Sequence, residues 1–199
     1  VAPTVSRHIA INQPSEFVKP PPRLGRLTTT PDSFTQISLN LSTRMISWGR
    51  EPSNTHRYPD AKDTRIAKRT ILIYFHAKGI DSIPEEDQSW IHLPGLHCIV
   101  TTQSSLGIHV NGVLLRKAEE GKWSYGNVYT GDEITVIAPD KDGKGGLRFV
   151  CEFLHGEGRN RRPEGGPRFK QVTVDDRTLK AKGPGKEKVL VKEQVAAAS

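Results

Sequence analysis

Long hydrophobic runs are missing from this 199-residue chain. No stretch approaches the roughly 18 consecutive apolar residues that a membrane-crossing helix needs, so the sequence predicts a soluble protein without membrane association. Cysteine is scarce, with 2 in the whole chain. Cys98 in LHCIV and Cys151 in FVCEF lie inside apolar stretches, a setting that favours buried, reduced thiols over a disulfide or a reactive cysteine and points to an intracellular protein. Metal spacing is also missing. The 7 histidines are scattered without a C-x2-C or H-x3-H pairing, so no metal is predicted, and no motif asks for a cofactor. The chain lacks a G-x4-G-K-[ST] phosphate loop, a G-x-S-x-G elbow and a kinase catalytic loop, and the expectation is that it is not an enzyme. Asp142-Gly143-Lys144-Gly145-Gly146 is glycine-rich, but it fits a hairpin loop better than a phosphate cradle. The start, Val1-Ala2-Pro3, has neither the charged opening nor the apolar core of a secretory signal and reads as a fragment of a longer protein.

What charge there is in excess lies at the ends. Residues 1–26 carry 4 Lys/Arg against 1 Asp/Glu, residues 155–199 carry 11 against 6, and residues 27–154 carry 14 against 15, within an overall charge of +7. A groove-reading DNA-binding core is therefore disfavoured, although basic tails can associate with nucleic acid without sequence preference. The composition divides the chain into a proline-rich basic lead-in (1–26), a β-rich domain (27–154), a Gly/Pro-rich basic extension with a further strand at 169–174 (155–178), and a linker-like tail (179–199).

Within the β-rich part, apolar residues recur in short alternating runs rich in β-branched and aromatic side chains. These runs predict strands at 35–41, 44–48, 70–76, 97–102, 107–111, 113–116, 133–137 and 146–154. Asn111-Gly112 is a two-residue hairpin signal. Lys78 to Pro94 interrupts the pattern and reads as a solvated acidic loop. Short strands without long helical periodicity predict an all-β, twisted antiparallel sandwich.

Four pieces occur in order: Trp48-Gly49-Arg50, Asp63-Thr64-Arg65 before a strand, Ser104-Ser105-Leu106-Gly107, and Val110-Asn111-Gly112. Together they resemble the forkhead-associated (FHA) family, which has a Gly-Arg ending an early strand, a Ser-Arg-x-His some dozen residues on, and a Thr/Ser-Asn-Gly stretch leading to a second Asn-Gly. Here 13 residues separate Arg50 from Thr64, and 6 separate Ser105 from Gly112. The resemblance covers roughly residues 25 to 154. It departs from the pattern at Ala67, where the family has its histidine, and at Leu106, where it has an asparagine. A second Gly-Arg, Gly25-Arg26, is set aside because it precedes the first predicted strand.

The resemblance implies an FHA-like sandwich that binds a threonine-phosphorylated partner in intracellular signalling, more often in the nucleus than the cytoplasm and within a larger protein. It places phosphopeptide contacts at Arg50, Thr64, Arg65, Ser105, Leu106 and Asn111, with Gly49, Gly107 and Gly112 shaping the loops. The chemistry agrees, because a phosphoryl group with about −1.5 to −2 charges needs converging donors, at least one of them cationic, on loops fixed by a rigid scaffold. Two alternatives remain: a β-domain that meets nucleic acid through its basic tails, and a structural sandwich without phosphate binding. The oligomeric state is left open.

Overall fold

The structure, a computed structural model, describes residues 20–120, 122–164 and 169–175. Within the described residues, twelve strands form two six-stranded sheets. The first sheet runs β2 (Ser38–Leu41), β1 (Gly25–Thr29), β11 (Leu147–Phe153), β10 (Glu133–Ile137), β7 (Ile108–Val110), β8 (Val113–Leu115). The second runs β12 (Val172–Asp175), β9 (Lys122–Val128), β6 (His97–Thr101), β5 (Ile71–His76), β3 (Met45–Gly49), β4 (His56–Arg57). Pairing is antiparallel except between β3 and β4.

Alternation closes the sandwich. In β11, Leu147, Phe149, Cys151 and Phe153 are buried in turn, so every second side chain enters the core. Trp48 of the second sheet meets Phe149 of the first edge-on at 5.2 Å, and Phe75 meets Phe153 at 6.2 Å. Such pairs add about 0.5–1.5 kcal/mol each beyond their buried area. Cys98 and Cys151 are both free and buried, and burial pushes both thiols upward from their ordinary pKa.

Three strands go beyond the sequence pattern. β1 begins at Gly25, inside the predicted lead-in, because Leu24 is fully buried and its N–H donates to Leu41 O. Gly25-Arg26 therefore lies within the first strand and not before it; Arg26 spends its side chain on Glu152 of β11. β4 is only 2 residues long, too short for any periodicity. β9 runs unbroken through Gly126, over which the Phe169 ring lies so closely that a Cβ would collide with it. The predicted strand at 169–174 is realised as β12, which pairs with the edge of β9.

The acidic segment 78–94 is not a solvated loop. It carries two 3-10 turns, Ile80–Ser82 and Gln88–His92, and buries Ile80 and Trp90. Arg44 enters it, donating to Ile80 O (3.0 Å), Ile83 O (2.7 Å) and Pro84 O (3.0 Å) and lying 5.1 Å over the Trp90 ring. The guanidinium thus pairs Ile83 O and adds a second donor to Ile80 O and Pro84 O, which already accept from Ile83 N–H and Asp87 N–H. Residues 1–19 and 176–199, which include the predicted tail, lie outside the described residues.

Candidate functional site

The register decides which loops meet. Trp48 pairs with Ile71, and Leu72 pairs with Thr101, so the end of β3, the start of β5 and the end of β6 share one end of the sheet. The loops 50–55, 58–70 and 102–107 leave from that end. Loop 77–96, turn 111–112 and turn 129–132 leave from the other.

Gly49 allows the first two loops to close on each other. A Cβ there would strike the carbonyls of Lys68 and Ala67, the latter at 2.8 Å. Across the gap that glycine leaves, Arg50 N–H donates to Ala67 O (3.1 Å) and Glu51 N–H to Lys68 O (3.0 Å). The Arg50 guanidinium continues the seam, donating from Nε to Ile66 O and from Nη1 to Ala61 O (2.9 Å). Asn54 donates from Nδ2 to both Glu51 O (2.9 Å) and Lys68 O (2.7 Å). Ala67 supplies no side-chain brace, and this backbone seam performs the bracing.

Arg50 and Arg65 differ electrically. Arg65 folds back on Asp63, with Nε to Oδ1 at 2.9 Å and Nη2 to Oδ2 at 2.8 Å, and its guanidinium lies 5.0 Å over the Phe34 ring. That hydrogen bonding holds the Asp63 carboxyl below its ordinary range and raises Arg65. Burial, with the nearby Asp63 charge, lifts Tyr58, whose hydroxyl donates to Asp63 Oδ2 at 3.3 Å. Arg50 meets only neutral carbonyls. Among the described residues no carboxylate pairs with it, so its full charge is held rigidly with N–H groups to spare.

Thr64 and Ser105 are exposed, and neither hydroxyl bonds a described residue. Ser105 and Leu106 form the tip of a turn closed by Gly107 N–H to Ser104 O (3.0 Å). Gly107 is required there, since its φ is +76° and a Cβ would lie 2.6 Å from Leu115 O. The loop is tied to the second by Thr102, whose hydroxyl donates to Thr70 O (2.6 Å) and accepts from Ser104 N–H (3.0 Å). Leu106 is 76% exposed and offers an apolar contact where an amide would offer hydrogen bonds.

Asn111 is not with them. It occupies the β7–β8 turn with Gly112, both at positive φ, at the opposite end of β7 from loop 102–107. Its side chain donates to Asp132 Oδ1 (2.8 Å) and accepts from Glu133 N–H (2.9 Å), so it fastens the β9–β10 turn. The family resemblance put Asn111 among the peptide contacts; the strand between it and Ser105, expected at 107–111 and found as β7, carries it to the other end.

Sequence reasoning passed over Lys62 and Lys68. Both are exposed beside the residues that bond Arg50, and both are without a described side-chain partner. Asn54 was also passed over, although an asparagine four residues past a Gly-Arg turn is a fair signal for backbone bracing.

No family model and no curated protein matches the chain. Among solved structures it is similar to the FHA2 domain of Rad53 complexed with a phosphotyrosyl peptide from Rad9, at TM-score 0.51 and 19% identity, covering 77% of this chain and 90% of that one. A second Rad53 structure, described as a phosphotyrosine-binding domain containing FHA2, matches at TM-score 0.51 and 20% identity, over 79% and 81%. The chain is therefore an FHA-like β-sandwich.

Proposed function

We propose that this chain is a phosphopeptide-binding module, that its ligand is a threonine-phosphorylated segment of a partner protein, and that it works without catalysis, metal or cofactor in intracellular, mainly nuclear, signalling. The carrying observation is Arg50, a cation fixed on two backbone carbonyls and without a carboxylate partner among the described residues, with the hydroxyls of Thr64 and Ser105 exposed on neighbouring loops. Such an array brings one fixed cation and two hydroxyl donors together, which suits an anion and offers no general base. The likeness to a domain solved with a phosphotyrosyl peptide supports the phosphopeptide class. Threonine is the finer reading and rests on the motif resemblance.

One peptide synthesised with Thr, phosphothreonine, phosphoserine and phosphotyrosine at the same position tests it by calorimetry. The phosphothreonine form binds best, and phosphoserine is weaker by about 0.8 kcal/mol, roughly fourfold, for one buried methyl. Arg50→Ala lowers affinity by about 2–5 kcal/mol, because the phosphate loses its main cation while still partly desolvated. Equal binding of phosphorylated and unphosphorylated forms defeats the reading; a preference for phosphotyrosine defeats only the choice of threonine.

A further inference from the structure

The charge of the folded domain is unevenly placed. Residues 50–70 carry 6 Lys/Arg against 3 Asp/Glu, whereas the rest of 27–154 carries 8 against 12. Within that segment Arg65 is occupied by Asp63 and Arg69 by Glu51. Asp60 turns its Oδ1 onto the Lys62 backbone N–H (2.9 Å), not onto a cation. Arg50, Arg57, Lys62 and Lys68 are left without a carboxylate partner among the described residues.

Lys62 and Lys68 stand in a particular relation to Arg50. Ala61 O accepts from the Arg50 guanidinium and Lys62 follows it; Ala67 O accepts from Arg50 N–H and Lys68 follows it, with Lys68 O accepting from Glu51. The two lysines are thus exposed, each next in sequence to a residue whose carbonyl holds Arg50, on backbone that the seam holds in place. One phosphoryl group of about two charges is matched by Arg50 and one further cation, and the remaining positive charge exceeds what it needs. The other loops at this end do not share the excess: residues 138–146 balance Lys141 and Lys144 against Asp140 and Asp142, and residues 102–107 carry no charge.

We infer that the site takes a phosphopeptide bearing additional anionic groups close to the phosphoresidue, acidic side chains or a second phosphate, and that Lys62 and Lys68 read them. This rests on the phosphopeptide reading. Surface cations of this kind act as point charges on flexible stems, so they discriminate by charge and not by shape.

Fluorescence anisotropy separates the two claims. A phosphothreonine peptide flanked by Glu is compared with one flanked by Gln at the same positions, each also unphosphorylated, on the parent and on Lys62→Ala/Lys68→Ala, with Lys141→Ala as control. The parent binds the Glu peptide roughly fivefold more tightly than the Gln peptide, as two exposed charge pairs allow. The double variant loses that preference while its affinity for the Gln peptide stays within about twofold, and Lys141→Ala keeps it. Equal parent affinities for the two phosphopeptides, or equal weakening of both by the double variant, overturn the inference and leave the phosphopeptide reading intact. An oligothymidylate of matched charge that competes as well as the Glu peptide overturns it in favour of a general polyanion surface. If phosphorylation makes no difference to either peptide, both claims fail.

Discussion

Arg50 and Asn111 show how one motif separates into two jobs. Arg50 joins loop to loop and presents its charge, whereas Asn111 is consumed by Asp132 and Glu133 at the opposite end. Thr64, exposed with a free hydroxyl, resembles Arg50 in this respect and not Asn111. Two substitutions make the distinction measurable. Thr64→Ala leaves stability within about 0.5 kcal/mol but weakens phosphopeptide binding by about 1–3 kcal/mol, the worth of a hydrogen bond to an anion. Asn111→Ala does the reverse, since it strips a partner from the buried Asp132 carboxylate and costs about 1–3 kcal/mol of stability with affinity unchanged. Denaturant melts paired with titrations decide the matter; a fully folded Asn111→Ala protein that no longer binds would return Asn111 to the site. Arg50→Ala touches both quantities, because two charge-assisted bonds to carbonyls are lost with it.

At the scale of elements, the sequence was most legible where alternation was clean. β11 is read to within a residue because every second side chain meets the core, whereas β5, buried on both faces through Leu72 as well as Ile71 and Ile73, and β10 are read as closely from their β-branched and aromatic runs. β4 escaped because it has only 2 residues, β9 because two of its inward positions are Ser124 and Gly126 while Trp123 and Tyr125 lie on the other face, and β1 because prolines upstream disguised where the core begins. The site was legible as an order of motifs, since Gly49-Arg50, Thr64 and Ser105 reach one end by strand direction alone. Its electrostatics were not, because only the fold shows that Asp63 occupies Arg65 and that no carboxylate of the described residues pairs with Arg50. β12 is the element with the clearest test. It covers the β9 edge, which would otherwise present unpaired backbone groups, and it is tied down by Phe169, 5% exposed, lying over Gly126. Phe169→Ala costs about 3 kcal/mol by chemical denaturation. It also speeds hydrogen exchange at the β9 amides that face β12. A full loss of stability without faster exchange in β9 would mean that Phe169 packs the core and does not hold the strand.

The whole molecule is polarised, with the basic excess of residues 50–70 at one end and Asp81, Glu85, Glu86 and Asp87 in the cap at the other. β5 joins these ends with 6 residues, about 20 Å at a rise of roughly 3.3 Å each. That is about twice the screening length of roughly 8–10 Å at moderate salt, so an approaching anion near the motif end feels the lysines and Arg50 but little of the acidic cap. Steering then depends on where charge sits and not on the net charge, which is close to zero for residues 27–154. The association rate constant for a phosphopeptide is expected to fall roughly tenfold between about 0.05 and 0.5 M salt, with most of the change in association and little in dissociation. Charge reversal at the two ends supplies the decisive contrast in stopped-flow kinetics. Lys62→Glu slows association severalfold at low salt, whereas Glu86→Lys, an exposed residue of the far cap, changes it by less than about twofold. If the two reversals alter the rate by equal and opposite amounts, the peptide senses only total charge, and the placement of the basic loops beside Arg50 contributes nothing to its capture.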